Sequence, residues 1–103
     1  MPELSGHNFI AGGRSAAGSV VLHSVDATTG QPLPSAFIQA TVEEVDAAVT
    51  AAAQAYPVYR HLPAARRAEF LEAIATELDA LGDDFVALVC QETALPAATP
   101  VPD

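Results

Sequence analysis

The sequence predicts an α+β fold: a short antiparallel β meander over residues 1–40, then about three α-helices over residues 41–96. Three observations point there. Five of the six glycines lie before residue 31, among apolar clusters too brief for helical stripes. From Thr41 onward, apolar residues recur at spacings of three and four instead. Pro57, Pro63 and Gly82 then fall where helices must stop and restart.

The elements follow in chain order. Asn8-Phe9-Ile10 reads as a short strand running into the turn residues Ala11-Gly12-Gly13-Arg14. Residues 19–25, with Val20, Val21 and Val25, are β-branched and read as a second strand. Asp26 to Gln31 marks a tight turn, with Gly30 free to take positive φ. Residues 34–40 supply a third strand. Thr41-Val42-Glu43-Glu44 is a capping box, in which the Thr hydroxyl accepts from the N3 amide while the Glu carboxylate reaches back. Val42, Val45, Val49, Ala52 and Tyr56 then make one stripe of an amphipathic helix that Pro57 ends. Pro63 opens a second helix, where its missing N–H costs nothing, and Phe70, Leu71, Ile74, Leu78 and Leu81 form its apolar face. Gly82 breaks that helix. Asp83 or Asp84 caps a third, which carries Phe85, Leu88 and Val89 and closes between Thr93 and Pro96. Residues 97–103 have no periodicity and two prolines, and read as an irregular tail.

Composition narrows the function. Thirteen Asp and Glu stand against four Arg and no Lys, a formal charge of −9 at pH 7. Nucleic-acid binding relies on cations neutralising phosphates, so this balance excludes it. Anionic membranes are disfavoured for the same reason, and no apolar run approaches the ~20 residues that span a bilayer. Residues 1–8 lack the basic and apolar regions of a secretory signal, and a lone cysteine makes no disulfide framework, so the expected location is cytoplasmic. Twenty-two alanines inflate the apolar fraction, while Val, Ile, Leu and Phe together number only 26. Alanine buries little surface, so the core is thin for the length.

The residues able to carry chemistry each have a structural explanation. Cys90 is the only thiol, and no Lys, Arg or His lies near it in sequence to lower its pKa; it reads as a small apolar side chain packed at a helix interface. His7, His23 and His61 sit in three separate settings, without the spacing of metal ligands. Gly12, Gly13 and Gly18 match neither a dinucleotide fingerprint nor a P-loop, and a strand rather than a helix follows them; a hairpin turn is the reading. Glu69, Glu72, Glu77, Asp79, Asp83 and Asp84 fall mostly between the apolar positions, on the solvated helix face, with Arg66–Glu69 as an i,i+3 ion pair. The residues themselves thus supply no catalytic, cofactor-binding or metal site.

Taken in succession, several strings nonetheless resemble a known family. His7-Asn8-Phe9-Ile10-Ala11-Gly12-Gly13-Arg14, then Ala27-Thr28-Thr29-Gly30-Gln31, then Ala40-Thr41-Val42-Glu43-Glu44-Val45-Asp46-Ala47-Ala48-Val49 are similar to the N-terminal segment of the aldehyde dehydrogenase superfamily. Residues 66–75 and Glu92-Thr93-Ala94-Leu95-Pro96 continue the likeness in order, so that it covers roughly residues 6–97. Tyr59-Arg60, residues 70–75, Ala80-Leu81-Gly82-Asp83 and residues 92–96 look most like the branch acting on α-ketoglutarate semialdehyde (2,5-dioxovalerate).

The resemblance implies a homo-oligomeric parent enzyme that oxidises an aldehyde with NAD or NADP. It would use a thiol nucleophile, a Glu base, an Asn oxyanion donor and a Rossmann-like cofactor site. In the family these lie downstream of the segment represented here, and none maps onto a residue of this chain; Cys90 does not match the nucleophile's motif. The expectation is therefore a truncated or partial enzyme, inactive alone and without bound cofactor. Its apolar helix faces, Val45/Val49 and Phe70/Ile74/Leu78, would be left exposed and prone to self-association. The alternative from another class is a stand-alone acidic helical interaction module without catalysis, offering the same faces to a partner.

Overall fold

The computed structural model describes residues 4–97. Four strands and three helices follow in order: β1 Asn8–Ile10, β2 Gly13–Ser15, β3 Val21–Val25, β4 Pro32–Ile38, α1 Val42–Tyr59, α2 Ala64–Asp79 and α3 Gly82–Thr93. The α+β class is as the sequence implies. The single meander is not: the strands form two separate antiparallel hairpins, β1–β2 and β3–β4. The segment read as turn, Ala11 to Arg14, contains the start of the extra strand β2.

That difference has a local cause. Ile10 pairs with Gly13, leaving a two-residue loop of Ala11 and Gly12 at φ 52° and 78°. Positive φ at both positions is the mark of a type I′ turn, whose twist matches that of the flanking strands. Gly12 adopts it freely, and Ala11 carries the strain. Phe9 faces Arg14 across the hairpin, and the guanidinium lies 5.6 Å from the ring centroid. In the second hairpin Val21 pairs with Ile38, and the register shifts between His23 and Val25. Its turn forms as the sequence implies: Asp26 Oδ1 accepts from the N–H groups of Thr28 and Thr29, and Gly30 sits at φ 74°. The two hairpin segments meet through backbone, with Ile38 N–H donating to Gly6 O at 3.0 Å.

The helix boundaries carry three corrections. Helix α1 does not stop at Pro57 but runs on to Tyr59. Proline removes one ladder bond, and one turn from the end that loss is small; Arg60 N–H still reaches Tyr56 O at 2.9 Å. Pro63 is the N-cap of α2 rather than its first residue. Neither Asp83 nor Asp84 caps α3: Leu81 holds the cap position, and both aspartates lie in the first turn, where they complement the helix dipole. Gly82 makes the break as read, at φ 71°, a conformation that would strain any β-carbon. Residues 98–103 of the tail lie outside the described residues.

No hydrophobic side chain is buried, and Glu44 is the one buried side chain among the described residues. Total accessible surface is 8069 Å² for 10.6 kDa, against about 5,500 Å² for a compact monomer of that mass. The radius of gyration is 17.4 Å, where a compact chain of this length has about 13 Å. Beyond the hairpins themselves, the main contacts join α1 to β1 and α3 to β3. Every residue of α2 except Arg67 is exposed.

With so little tertiary packing, local capping sets much of α1's stability. Thr41→Ala is expected to weaken its first turn by about 1 kcal/mol, seen as faster amide exchange at residues 42–45 with α3 unaffected.

Candidate functional site

The most constrained polar cluster surrounds Glu44. Glu44 is the N3 residue of α1, and its N–H donates to Thr41 Oγ1 at 3.1 Å while its Oε1 accepts from Thr41 N–H at 3.0 Å. This is the capping box the sequence encodes. Its second oxygen has a further role that the sequence does not disclose. Oε2 accepts a hydrogen bond from Ser15 Oγ on β2, and a longer one from Ala17 N–H at 3.4 Å. One carboxylate thus closes the helix end and fastens the helix to the first hairpin.

Donors surround the group, so its charged form is favoured. The Ser15 hydroxyl is the largest cause, followed by the Thr41 backbone bond, and together they hold the carboxyl below the ordinary 4.5 of a glutamate against an opposing effect of burial. No cation takes part. All four arginines are engaged close by in sequence: Arg14 over Phe9, Arg60 over Tyr56, Arg66 with Glu69 at 3.0 Å, and Arg67 donating to Arg60 O at 3.4 Å. The cluster is a joint, with neither a nucleophile nor a proton acceptor facing an open cleft.

The residues singled out for chemistry lie apart. Cys90 is a free, half-buried thiol on α3. Helix α3 meets the second hairpin, where Ala27 N–H donates to Gln91 O at 2.9 Å. His23 places Nδ1 3.1 Å from Leu33 O on the neighbouring strand. His7 is in the entry to β1, and His61 lies in the link between α1 and α2. Among the described residues, no three His, Cys, Asp or Glu groups cluster as metal ligands. Gly12 and Gly13 belong to the first hairpin, and Gly18 passes so close to the carbonyl of Gln39 that a side chain has no room. Glu69, Glu72, Glu77, Asp79, Asp83 and Asp84 are exposed, as their positions imply.

These residues do not fit a dinucleotide. A pyrophosphate needs free amides at a helix N-terminus behind a glycine turn. Here Thr41 Oγ1 takes the Glu44 amide of α1 and Glu43 and Glu44 lie in its first turn, α2 opens after Pro63, and α3 opens on Gly82 with Asp83 and Asp84 in its first turn. Two apolar grooves lie on α2. One is lined by Phe70, Ala73, Ile74, Glu77, Leu78 and Leu81; the other by Tyr59, Leu62, Arg66, Glu69 and Phe70. No described helix is long and apolar enough to cross a membrane.

Two hairpins lead into three helices, of which α1 carries a side-chain cap. The chain belongs to the aldehyde dehydrogenase family, whose model matches residues 15–100. That match begins later, and ends three residues later, than the motif likeness over 6–97. The α-ketoglutaric semialdehyde dehydrogenase of Acinetobacter baylyi is 43% identical over 96 residues, covering 93% of this chain and 18% of the relative. α-Ketoglutaric semialdehyde dehydrogenase 2 of Azospirillum brasilense is 40% identical over 98 residues, again covering 93% of this chain and 18% of the relative. The chain therefore spans about a fifth of the length of these relatives. No solved structure matches it significantly.

The Glu44 joint has a signed pH dependence. A carboxylate whose folded pKa is depressed stabilises fully above 4.5, and that contribution fades as pH falls through the folded value. Exchange protection of the Ala17 and Glu44 amides should drop on acidification below 4.5, relative to a Glu44→Gln chain, which has no charge to lose at this point. Equal acid sensitivity in both chains would contradict the assignment.

Proposed function

We propose that this chain is the opening part of an NAD(P)-dependent aldehyde dehydrogenase acting on α-ketoglutarate semialdehyde, and that the 103 residues alone do not catalyse. The observation that carries the proposal is the identity of 43% and 40% to two α-ketoglutaric semialdehyde dehydrogenases, sustained over 93% of this chain. The reaction converts aldehyde and water to the carboxylic acid while a hydride passes to NAD(P)⁺. The separation of Cys90 from the histidines and carboxylates supports the inactivity of the chain alone. The contribution of this segment is structural: Glu44 sets the angle between hairpin and helix, and α1 and α2 turn their apolar residues outward, toward further protein. A cytoplasmic setting accompanies this reading.

The test is a chimera in which residues 6–97 replace the corresponding segment of the Acinetobacter enzyme. It is expected to reduce NAD(P)⁺ with α-ketoglutarate semialdehyde, whereas the purified 103-residue chain gives no rate above buffer. A folded but inactive chimera would overturn the reading. It would favour the second one, an acidic interaction module without catalysis, for which the exposed α1 and α2 faces speak. Turnover by the chain alone would overturn the inactivity.

A further inference from the structure

We propose that residues 6–18, the first hairpin with its two flanks, form a clasp around the corner where β4 passes into α1, and that the clasp fills a strand-addition site on the outer edge of β4 with the chain's own backbone. The inference concerns contacts inside the chain and does not depend on the family reading. The edge comes first. Gln39 N–H faces β3, donating to Val20 O at 2.9 Å. Hydrogen-bonding groups alternate sides along a strand, so those of Ile38 point away from β3. Left alone they would form an open edge, the kind that accepts an extended peptide. Both are taken within the chain: Ile38 N–H donates to Gly6 O at 3.0 Å, and Ile38 O accepts from Asn8 Nδ2 at 3.1 Å. One carbonyl and one side-chain amide thus stand in for a paired strand. The approach is close enough to require glycine. Gly6 lies at φ 69°, and a β-carbon there would fall on the Ala36 carbonyl. Toward the start of β4, Pro32 and Pro34 have no N–H to offer an added strand.

The same hairpin grips the far side of the corner. Asn8 pairs with Ser15 across β1–β2, and Ser15 Oγ donates to Glu44 of α1, as does Ala17 N–H at 3.4 Å. Next along the chain, Gly18 lies against the carbonyl of Gln39, where a side chain again has no room. The clasp therefore holds three successive parts of the corner: Ile38 at the end of β4, Gln39 in the link, and Glu44 in the first turn of α1. Its two polar grips sit on residues that face each other in one short hairpin. Groups joined through one network lose their contacts together, so residues 6–18 open and close as a unit. Closed, the unit sets the angle between β4 and α1 and withholds Ile38 from any other strand.

Amide hydrogen exchange of the full chain tests both halves of the proposal. Ser15 bonds to Glu44 rather than to β4, yet Ser15→Ala should speed exchange of the Ile38 amide about fivefold. The Gln39 amide, held within the second hairpin, should keep its rate. Gly6→Val forces the segment off the edge and should speed Ile38 exchange about tenfold. A peptide of residues 4–10, added in excess, should then restore slow exchange at Ile38 in that variant and leave the wild-type rate unchanged. Asn8→Ala removes a single bond and serves where Gly6→Val also disturbs Gln39; it should shift Ile38 in the same direction and answer to the same peptide. An Ile38 amide unmoved by Ser15→Ala would overturn the shared clasp. One that stays slow in both Gly6→Val and Asn8→Ala, or turns fast and ignores the peptide, would overturn the strand-addition site. Exchange is read without any turnover, so this result and that of the chimera stand apart.

Discussion

The two oxygens of the Glu44 carboxylate hold together what the backbone leaves separate. One oxygen completes the cap of α1, and the other takes the Ser15 hydroxyl and the Ala17 amide from the first hairpin. Where no hydrophobic side chain among the described residues is buried, such a polar anchor fixes an angle that side-chain packing fixes elsewhere. A buried carboxylate normally opposes folding, because desolvation penalises its charge. Here several donors replace the lost water, so the group remains ionised and its geometry is specified by direction as well as distance.

What the sequence discloses and what it conceals divide along the range of the interactions. The capping box is legible because Thr41 and Glu44 are three residues apart and need only each other. The Asp26–Gly30 turn and the Gly82 break are legible for the same reason: a single residue type supplies the required geometry. The bond from Glu44 to Ser15 crosses 29 positions, and nothing in either residue's neighbourhood announces it. The second strand was hidden by its own composition, since Gly13-Arg14-Ser15 reads as turn until its pairing with β1 is known. Pro57 reads as a stop by the rule for helix interiors, but it stands in the last turn of α1, where little remains to be disrupted.

The thin apolar content and the open architecture are one fact seen twice. The stripes on α1 and α2 have the period and hydrophobicity of core-facing surfaces, yet Val42, Val49 and Phe70 stand in solvent. Twenty-two alanines let helices approach other elements closely without contributing much burial themselves. Family membership gives this a context, because the chain spans about a fifth of its relatives. The patterns that specify secondary structure are complete within the chain. Those that specify a core are thin, because alanine supplies so much of the apolar count.

The position of the Glu44 joint also sets an order of assembly. The hairpin residues that it engages, Ser15 on β2 and Ala17 just after it, and the helix start it caps, are encoded within the first 45 residues. A growing chain can therefore fasten hairpin to helix while α2 and α3 are still unmade. The contact of the second hairpin with α3 comes later, because Ala27 N–H finds Gln91 O only once residue 91 has been made. During that interval the β3–β4 hairpin is without its α3 contact, and its unpaired β3 edge is open to pairing with a neighbour.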